Sequence, residues 1–298
     1  EKYILPKIPN YVEDPAPIIN LSYPEINLEY KGGNKITLED FFARYRYTPS
    51  ERSLISKGVI VSVGCGTIQW LIEMLVRMGI RKIAFIDDDI VESHNVRQLY
   101  CRNDTLGKPK VEVTKKGLLL LDDSLEILAI RQRVTKENIG EIFDFIKDTF
   151  NKIDVVLDGV DNLPSRIAIH SYCRGKYPVL SSAYSGFMGR YLTFFPEDPL
   201  YEETFPYSIP LPHWGTDLAV GMLLYALKAR DTIFWITGHR DKIIRYPYVA
   251  IVNLFASPPL YIRRIDNIYG GGQIPPTNYK TMEFGLPEKY KQKYIGKI

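Results

Sequence analysis

Over positions 1–35 the apolar residues recur without a period among Pro, Tyr and Asn, so this stretch reads as an extended arm. From Thr37 the run TLEDFFARYRY offers an N-cap Thr, acids in the first turn and apolar residues at helical spacing, which predicts a short helix. Regular patterning begins after position 56. Positions 58–63 (GVIVSV) form a continuous β-branched run that ends on Gly64, and 67–78 then show helical periodicity up to Gly79. A second apolar run, 82–86, ends in Asp87, Asp88 and Asp89. The pattern continues as helix 108–121, strand 125–131, helix 136–150, strand 153–157 closing on Asp158, helix 164–176 with Pro in its first turn, and strand 178–182. Strands alternating with helices imply a parallel sheet covered on both faces.

Positions 187–195 alternate as an antiparallel strand does, and 196–212 are too proline-dense for regular structure. A mainly apolar helix follows at 216–230 (TDLAVGMLLYALKAR), suited to a core or dimer-facing position, whereas 261–298 read as a polar, Gly/Pro-rich surface tail. The expected fold is therefore α/β, a Rossmann-like mainly parallel sheet with helices on both faces, extended by antiparallel strands in the C-terminal half. The expected divisions are an N-terminal arm and short helix (1–56), a nucleotide-binding domain (57–195), a crossover loop, helix and strand completing it (196–260), and a tail (261–298).

Composition narrows the function. The 298 residues are 45% hydrophobic and 24% charged, as in ordinary soluble proteins, and the net charge of +3 is spread without a basic stripe, so nucleic acid is not an expected partner. No apolar run approaches the roughly 18 residues of a membrane span, and the first residues carry prolines and acids where a signal peptide would be apolar. Cys65, Cys101 and Cys173 lie too far apart for a Cys-x-x-Cys zinc site or a disulfide framework, which suggests a reducing, cytoplasmic setting.

Gly64-Cys65-Gly66, between a strand and a helix, would let backbone N–H groups approach a phosphate. The third glycine of G-x-G-x-x-G is replaced by Gln69, so a tight turn without a ligand remains an alternative. Asp87, about twenty residues on at the end of the second strand, is placed to accept hydrogen bonds from ribose hydroxyls, which favours a nucleotide. To this point an NAD-dependent oxidoreductase explains the pattern equally well.

The segment DDDIVESHNVRQLYCRNDTLGKPK, 87–110, separates the two. It resembles the ThiF/MoeB/HesA family of ATP-dependent adenylating enzymes, relatives of ubiquitin-activating enzyme, in a D-x-D-x-V-x-x-x-N, R-Q, G-x-P-K series: Asp87, Asp89, Val91, Asn95, Arg97, Gln98, Gly107, Pro109 and Lys110. VVLDGVDNLPSR (155–166) is similar to that family's D-x-x-D-N strand end, and SAYSGFMGR to its G-x-x-G strand entry. The ordered blocks span roughly half the chain.

The resemblance implies attack of a carboxylate on the α-phosphorus of ATP. It implies Gly64 and Gly66 at the phosphates, Asp87 and Asp89 in the nucleotide site with Asp87 on the ribose, and Asn95, Arg97, Gln98 and Lys110 at the triphosphate. Asp161 is expected at magnesium or the reacting centre. Arg97 and Lys110 suit the electrostatic demand of stabilising charge on the phosphate oxygens. It also implies a homodimer in which an N-terminal arginine reaches the partner's ATP, with Arg44 and Arg46 as candidates, the latter preferred. The carboxylate is expected to be the C-terminus of a small ubiquitin-like or sulfur-carrier protein, or of a peptide.

The chain departs from the family in four respects: Thr67 and Gln69 in the glycine loop, an Asn95 to Arg97 interval one residue short, no paired Cys-x-x-Cys motifs, and no cysteine in 196–212. Adenylation without a catalytic-cysteine thioester is therefore expected, with Cys65 and Cys173 as packing residues and Cys101 as the exposed one. His94, next to Asn95, is expected near phosphate, His170, His213 and His239 are read as structural, and a place lining the substrate groove is the alternative for His213-Trp214. The alternatives are a degenerate relative that binds a peptide or protein without turnover, favoured by Gln69 and the shortened loop, and an NAD-dependent oxidoreductase, for which no catalytic Tyr-x-x-x-Lys or His/Asp pair stands out beside the fold.

Overall fold

Unbroken apolar runs in the first half demand cover on both faces, and the computed structural model, which describes residues 36–205 and 217–265, supplies it. Helices α1 (Leu38–Phe42) and α2 (Pro49–Lys57) precede β1 (Val59–Val63), α3 (Gln69–Arg77), β2 (Lys82–Ile86), α4 (Lys110–Leu121), β3 (Glu126–Ile130), α5 (Ile139–Phe150), β4 (Val155–Asp158), α6 (Leu163–Cys173) and β5 (Val179–Ser185). Then come β6 (Met188–Phe194), the single turn α7 (Tyr201–Thr204), α8 (Leu218–Thr237), β7 (Tyr248–Asn253) and β8 (Leu260–Arg264). These form an eight-stranded sheet in the order β3-β2-β1-β4-β5-β6-β7-β8. The first five strands are parallel, and β5 to β8 pair antiparallel.

Alternate side chains of each strand enter two separate cores. Ile60, Ile83, Phe85, Val155, Leu157 and Tyr191 meet α3, α4 and α8 on one face. Val61, Ala84, Val156, Leu192 and Phe194 meet α5 and α6 on the other. Each of Leu71, Ile72 and Leu75 of α3, fully buried, contributes about 1.5–3 kcal/mol. The connection from β1 leads to β2 on one side while β4 lies on the other, so a crevice opens beyond the C-terminal ends of β1 and β4.

Several expected boundaries shift. Helix α2 is absent from the expected pattern and runs across the expected division at 56; Thr48 caps it, accepting from Glu51 N at 3.3 Å, with Pro49 in the first turn. Helix α8 continues past 230 to Thr237, where Gly238 ends it with φ +86°. Strand β8 occupies the start of the expected tail, and α7 forms within the expected irregular crossover. The arm 1–35, crossover positions 206–216 with His213 and Trp214, and positions 266–298 lie outside the described residues. Among the described residues no helix is long and apolar enough to cross a membrane.

Candidate functional site

The crevice is built from two turns pressed back to back. Gly64 leaves β1 with φ +106°, and a Cβ there would stand 2.5 Å from the carbonyl oxygen of Gly159. Only glycine accommodates both the dihedral and the approach. Gly159 N donates to Val63 O at 2.9 Å, and Gly64 N donates to Ile86 O at 2.7 Å, tying the exits of β1, β2 and β4 together. Asp87 accepts from Cys65 N (2.6 Å) and from Asp89 N (2.8 Å), so its carboxylate braces the glycine turn. Burial raises its pKa, against the opposing pull of these amides and of Lys110.

Gln98 is buried beside Gly66, its Nε2 3.7 Å from where a Gly66 Cβ would stand. Its Oε1 is buried with no hydrogen-bond partner among the described residues. An amide oxygen left in this condition is costly unless something donates to it. Lys110 opens α4 and is nearly buried; Nζ donates to Asp89 Oδ2 at 2.9 Å, and its N–H donates to Asp89 O at 2.9 Å. Asp87, Asp89, Gln98 and Lys110 are thus gathered around the glycine turn. Asn95 is half-buried, with Oδ1 accepting from Glu92 N (2.9 Å) to close the 3-10 turn Ser93–Asn95. Arg97 is exposed on the same loop; its carbonyl accepts from Trp70 Nε1 (2.9 Å), and its charge acts on Tyr225 of α8.

Gln69 points inward. Nε2 donates to Thr114 Oγ1 at 2.8 Å and Oε1 accepts from Tyr100 N at 3.1 Å, joining α3 to α4 and to the loop before it. Thr67 turns toward α8, its hydroxyl bonded to Tyr184 and, at 2.7 Å, to Tyr225, whose hydroxyls stand 2.9 Å apart. Both residues that depart from the glycine pattern therefore serve packing and anchorage.

Beneath the second turn lies a buried charge cluster. Asp158 is fully buried, 3.1 Å from Arg166 Nε and 3.5 Å from His170 Nε2, and accepts from Ser181 Oγ at 2.6 Å. Burial pushes its pKa upward, but Arg166, His170 and Lys228 outweigh that and hold it well below the carboxylate range. Lys228, fully buried in α8, donates from Nζ to the Asp158 carbonyl at 2.6 Å, and burial brings its pKa down to about 7. Asp161, three residues past Asp158, is exposed. Arg133, after β3, pairs with Asp88 at 3.0 Å and lies within electrostatic reach of Asp161. The carboxylates of Asp87, Asp88 and Asp89 can bring oxygens within 4.8 Å of one another, although Asp88 and Asp89 already hold Arg133 and Lys110.

Arg133, Lys228, Tyr184 and Tyr225 escape a reading of the sequence. Tyr225, Lys228 and Asp231 do leave a trace there, polar groups three residues apart in a mainly apolar helix.

Arg44 and Arg46 are exposed between α1 and α2, next to Tyr47, whose ring stands 6.2 Å from that of Phe42, which covers Gly79 just past the last turn of α3. That is the end of α3 remote from the glycine turn, so within one chain these arginines do not join the site. Cys65 and Cys173 are buried, and burial pushes both thiols up; Cys101 is half-buried, not exposed as expected, its Sγ 3.6 Å from Glu92 O. His94 is exposed near Glu92, while His239 bonds Glu51 at 2.9 Å. A Tyr-x-x-x-Lys pair does occur, Tyr172 and Lys176, but it sits at the C-terminal end of α6, away from the crevice, with Nζ 3.7 Å above the ring.

The chain is similar to the SAMP-activating enzyme E1 of Haloferax volcanii, 31% identical over 178 residues, 59% of this chain and 63% of the relative. It is 29% identical to the sulfur carrier protein ThiS adenylyltransferase of Escherichia coli over 120 residues, 40% of this chain and 45% of that one. The chain thus spans about half to under two thirds of the length of these curated relatives. Among solved structures, E. coli MccB with AMPCPP and MccA shares the fold, with TM-score 0.61 and 21% identity over 76% of this chain and 67% of MccB. Residues 45–216, more than half of the sequence, match the ThiF family model, and the chain belongs to the ThiF family.

Proposed function

We propose that this protein uses ATP and Mg²⁺ to adenylate a carboxylate, the C-terminus of a small ubiquitin-like or sulfur-carrier protein or of a peptide, as a cytoplasmic homodimer and without a thioester step. The observation that carries this reading is the buried Gln98 amide at Gly66, its oxygen unpartnered among the described residues, on a turn that Asp87 braces through Cys65 N and with Lys110 bonded to Asp89. Membership of the ThiF family and similarity to a sulfur carrier protein ThiS adenylyltransferase support it.

In the reaction a carboxylate oxygen attacks the α-phosphorus, a P–O bond forms, and the bond to pyrophosphate breaks. Lys110 and Arg97 supply positive charge toward the phosphate oxygens, where it counts most in the transition state. Asp87 keeps lone pairs for ribose hydroxyls beyond those it gives to Cys65 and Asp89, because an ionised carboxylate offers about four acceptor sites. In this reading Gly64 and Gly66 let backbone approach the phosphates, and Asn95 and Gln98 complete the triphosphate site. The unpartnered Gln98 oxygen and the exposed acids fit a polar ligand with its cation: Asp161 would hold Mg²⁺, with Asp89 near it, and the ion would offset phosphate charge when bound. Arg46 acts across the dimer, since its own glycine turn lies at the other end of α3. The raised thiols of Cys65 and Cys173 support a path that ends at adenylation.

A second reading is a partner-binding relative that no longer turns over ATP; it is favoured by Lys110 already engaged with Asp89. ATP–pyrophosphate exchange with candidate carrier proteins and peptides separates the two. Exchange that is lost in Arg97→Ala and Asp161→Ala supports adenylation. Partner binding without exchange or ATP binding selects the second reading, and enhanced NADH fluorescence would instead favour an oxidoreductase.

A further inference from the structure

Lys228 occupies the middle of α8, fully buried, with Nζ 2.6 Å from the backbone carbonyl oxygen of Asp158. Burying an ammonium costs several kcal/mol, and an apolar side chain of similar volume avoids that cost. Lys228 adds to the field that keeps Asp158 ionised, but the carboxylate's direct partners are the Arg166 guanidinium at 3.1 Å, His170 Nε2 at 3.5 Å and Ser181 Oγ at 2.6 Å, and the Lys228 Nζ bonds the backbone carbonyl instead. What Lys228 adds beyond that is direction, a donor aimed at the last peptide of β4.

That peptide leads into Gly159, which is wedged between the two turns. Its carbonyl faces Gly64, its N–H donates to Val63 O, and a Cβ on it would stand 2.6 Å from Ile68 Cδ1. Two residues further is Asp161. Three residues before Lys228 on α8, Tyr225 bonds Thr67 in the glycine turn at 2.7 Å. One helix thus grips both turns, and Lys228 is its hold on the second.

We propose that Lys228 is a positioning residue: by fixing the Asp158 carbonyl it sets the 158–161 turn against the glycine turn and so determines where Asp161 stands. The activity arm of its test rests on the adenylation reading; the structural arm does not.

The test compares the full chain with Lys228→Met, which fills the space without a donor, and Lys228→Gln, which keeps an uncharged donor. Hydrogen exchange at the amides of 158–162 should quicken by about tenfold or more in Lys228→Met while the rest of the sheet is unchanged. Calorimetric titration of ATP with and without Mg²⁺ should show the Mg²⁺-dependent gain in affinity shrinking, with Mg²⁺-free ATP affinity kept. In pyrophosphate exchange, kcat should fall about tenfold with KM for ATP within about threefold, and Lys228→Gln should recover part of both losses. If Lys228→Met does not fold, Lys228→Gln carries the same comparison and should lie between wild type and the loss described. Wild-type protection of 158–162 in the variant overturns the proposal, as does a loss of protection spread over the whole sheet. If the wild-type protein shows no pyrophosphate exchange, the adenylation reading fails, and the exchange of amides 158–162 alone decides for or against positioning.

Discussion

Replacing Asp158 with Asn leaves the shape of the buried cluster nearly intact and removes the carboxylate at its centre. Arg166, with 9% of its side chain exposed, and the fully buried Lys228 would then face each other's field without their nearest counter-charge. Breaking a buried pair by deleting one partner costs about 3–5 kcal/mol. Asn retains an oxygen for Ser181 Oγ, which places the expected loss near the lower end, about 3 kcal/mol, out of a typical total of about 5–15 kcal/mol. With a urea slope of about 2–3 kcal/mol/M, the midpoint should fall by about 1 M or more. Adding Arg166→Met to Asp158→Asn removes the stranded guanidinium, so the double variant should be less destabilised than the sum of the singles by about 1–3 kcal/mol.

The pH dependence follows with a definite sign. The folded pKa of Asp158 is depressed below its ordinary 3.8, so the stabilisation is fully present above that value and is lost as pH falls through the folded one. Asp158→Asn should lack this acid-side component. Urea titrations of the four proteins at pH 7, repeated between pH 5 and 2, provide the measurement. A midpoint shift below about 0.3 M for Asp158→Asn, or strict additivity in the double variant, would refute the view that the carboxylate is the keystone of this cluster.

Gly64→Ala should destabilise by about 2–4 kcal/mol, combining a left-handed dihedral with a backbone overlap, and should weaken nucleotide binding more than the same loss of stability elsewhere; denaturation paired with ATP titration reads both. Gln98→Leu removes a buried oxygen that has no partner among the described residues, so the melting temperature should hold or rise while ATP affinity falls about tenfold. Equal losses in both would assign Gln98 to packing alone. Mixing Arg46→Ala chains with Asp161→Ala chains should restore pyrophosphate exchange in heterodimers to about a quarter of wild type or more if the arginine acts across the dimer. Failure to complement removes Arg46 from the site.

Much of the parallel half is legible because strands buried on both faces are continuous apolar runs, and their ends carry the glycines and acids that the crevice needs. Helix α2 is hard to see in the sequence because it buries only Ile55 and so has little apolar periodicity; its signal lies instead in the Thr48 to Glu51 capping box. Strand β8 reads as tail because Leu260–Arg264 is half-exposed and follows Ser-Pro-Pro. Gln69 illustrates a deeper limit. Read along the chain it stands where the dinucleotide pattern has a glycine for close helix–strand packing, yet its partners Tyr100 and Thr114 lie 31 and 45 residues away and hold its side chain in the core. Lys228 bonds a carbonyl 70 residues distant, a contact no local pattern encodes. Arg133 likewise becomes relevant only when the order β3-β2-β1-β4 places its strand end on the rim with Asp88.

The central claim is that a carboxylate oxygen becomes bonded to the α-phosphorus. It is tested most directly with a small carrier protein ending in Gly-Gly, or a peptide, whose C-terminal carboxylate carries ¹⁸O, incubated with the full chain, ATP and Mg²⁺. After the adenylate is cleaved with hydroxylamine, the predicted product is AMP containing one ¹⁸O atom, together with an equivalent of pyrophosphate. AMP without the label, or release of ADP and phosphate in its place, would contradict the claim.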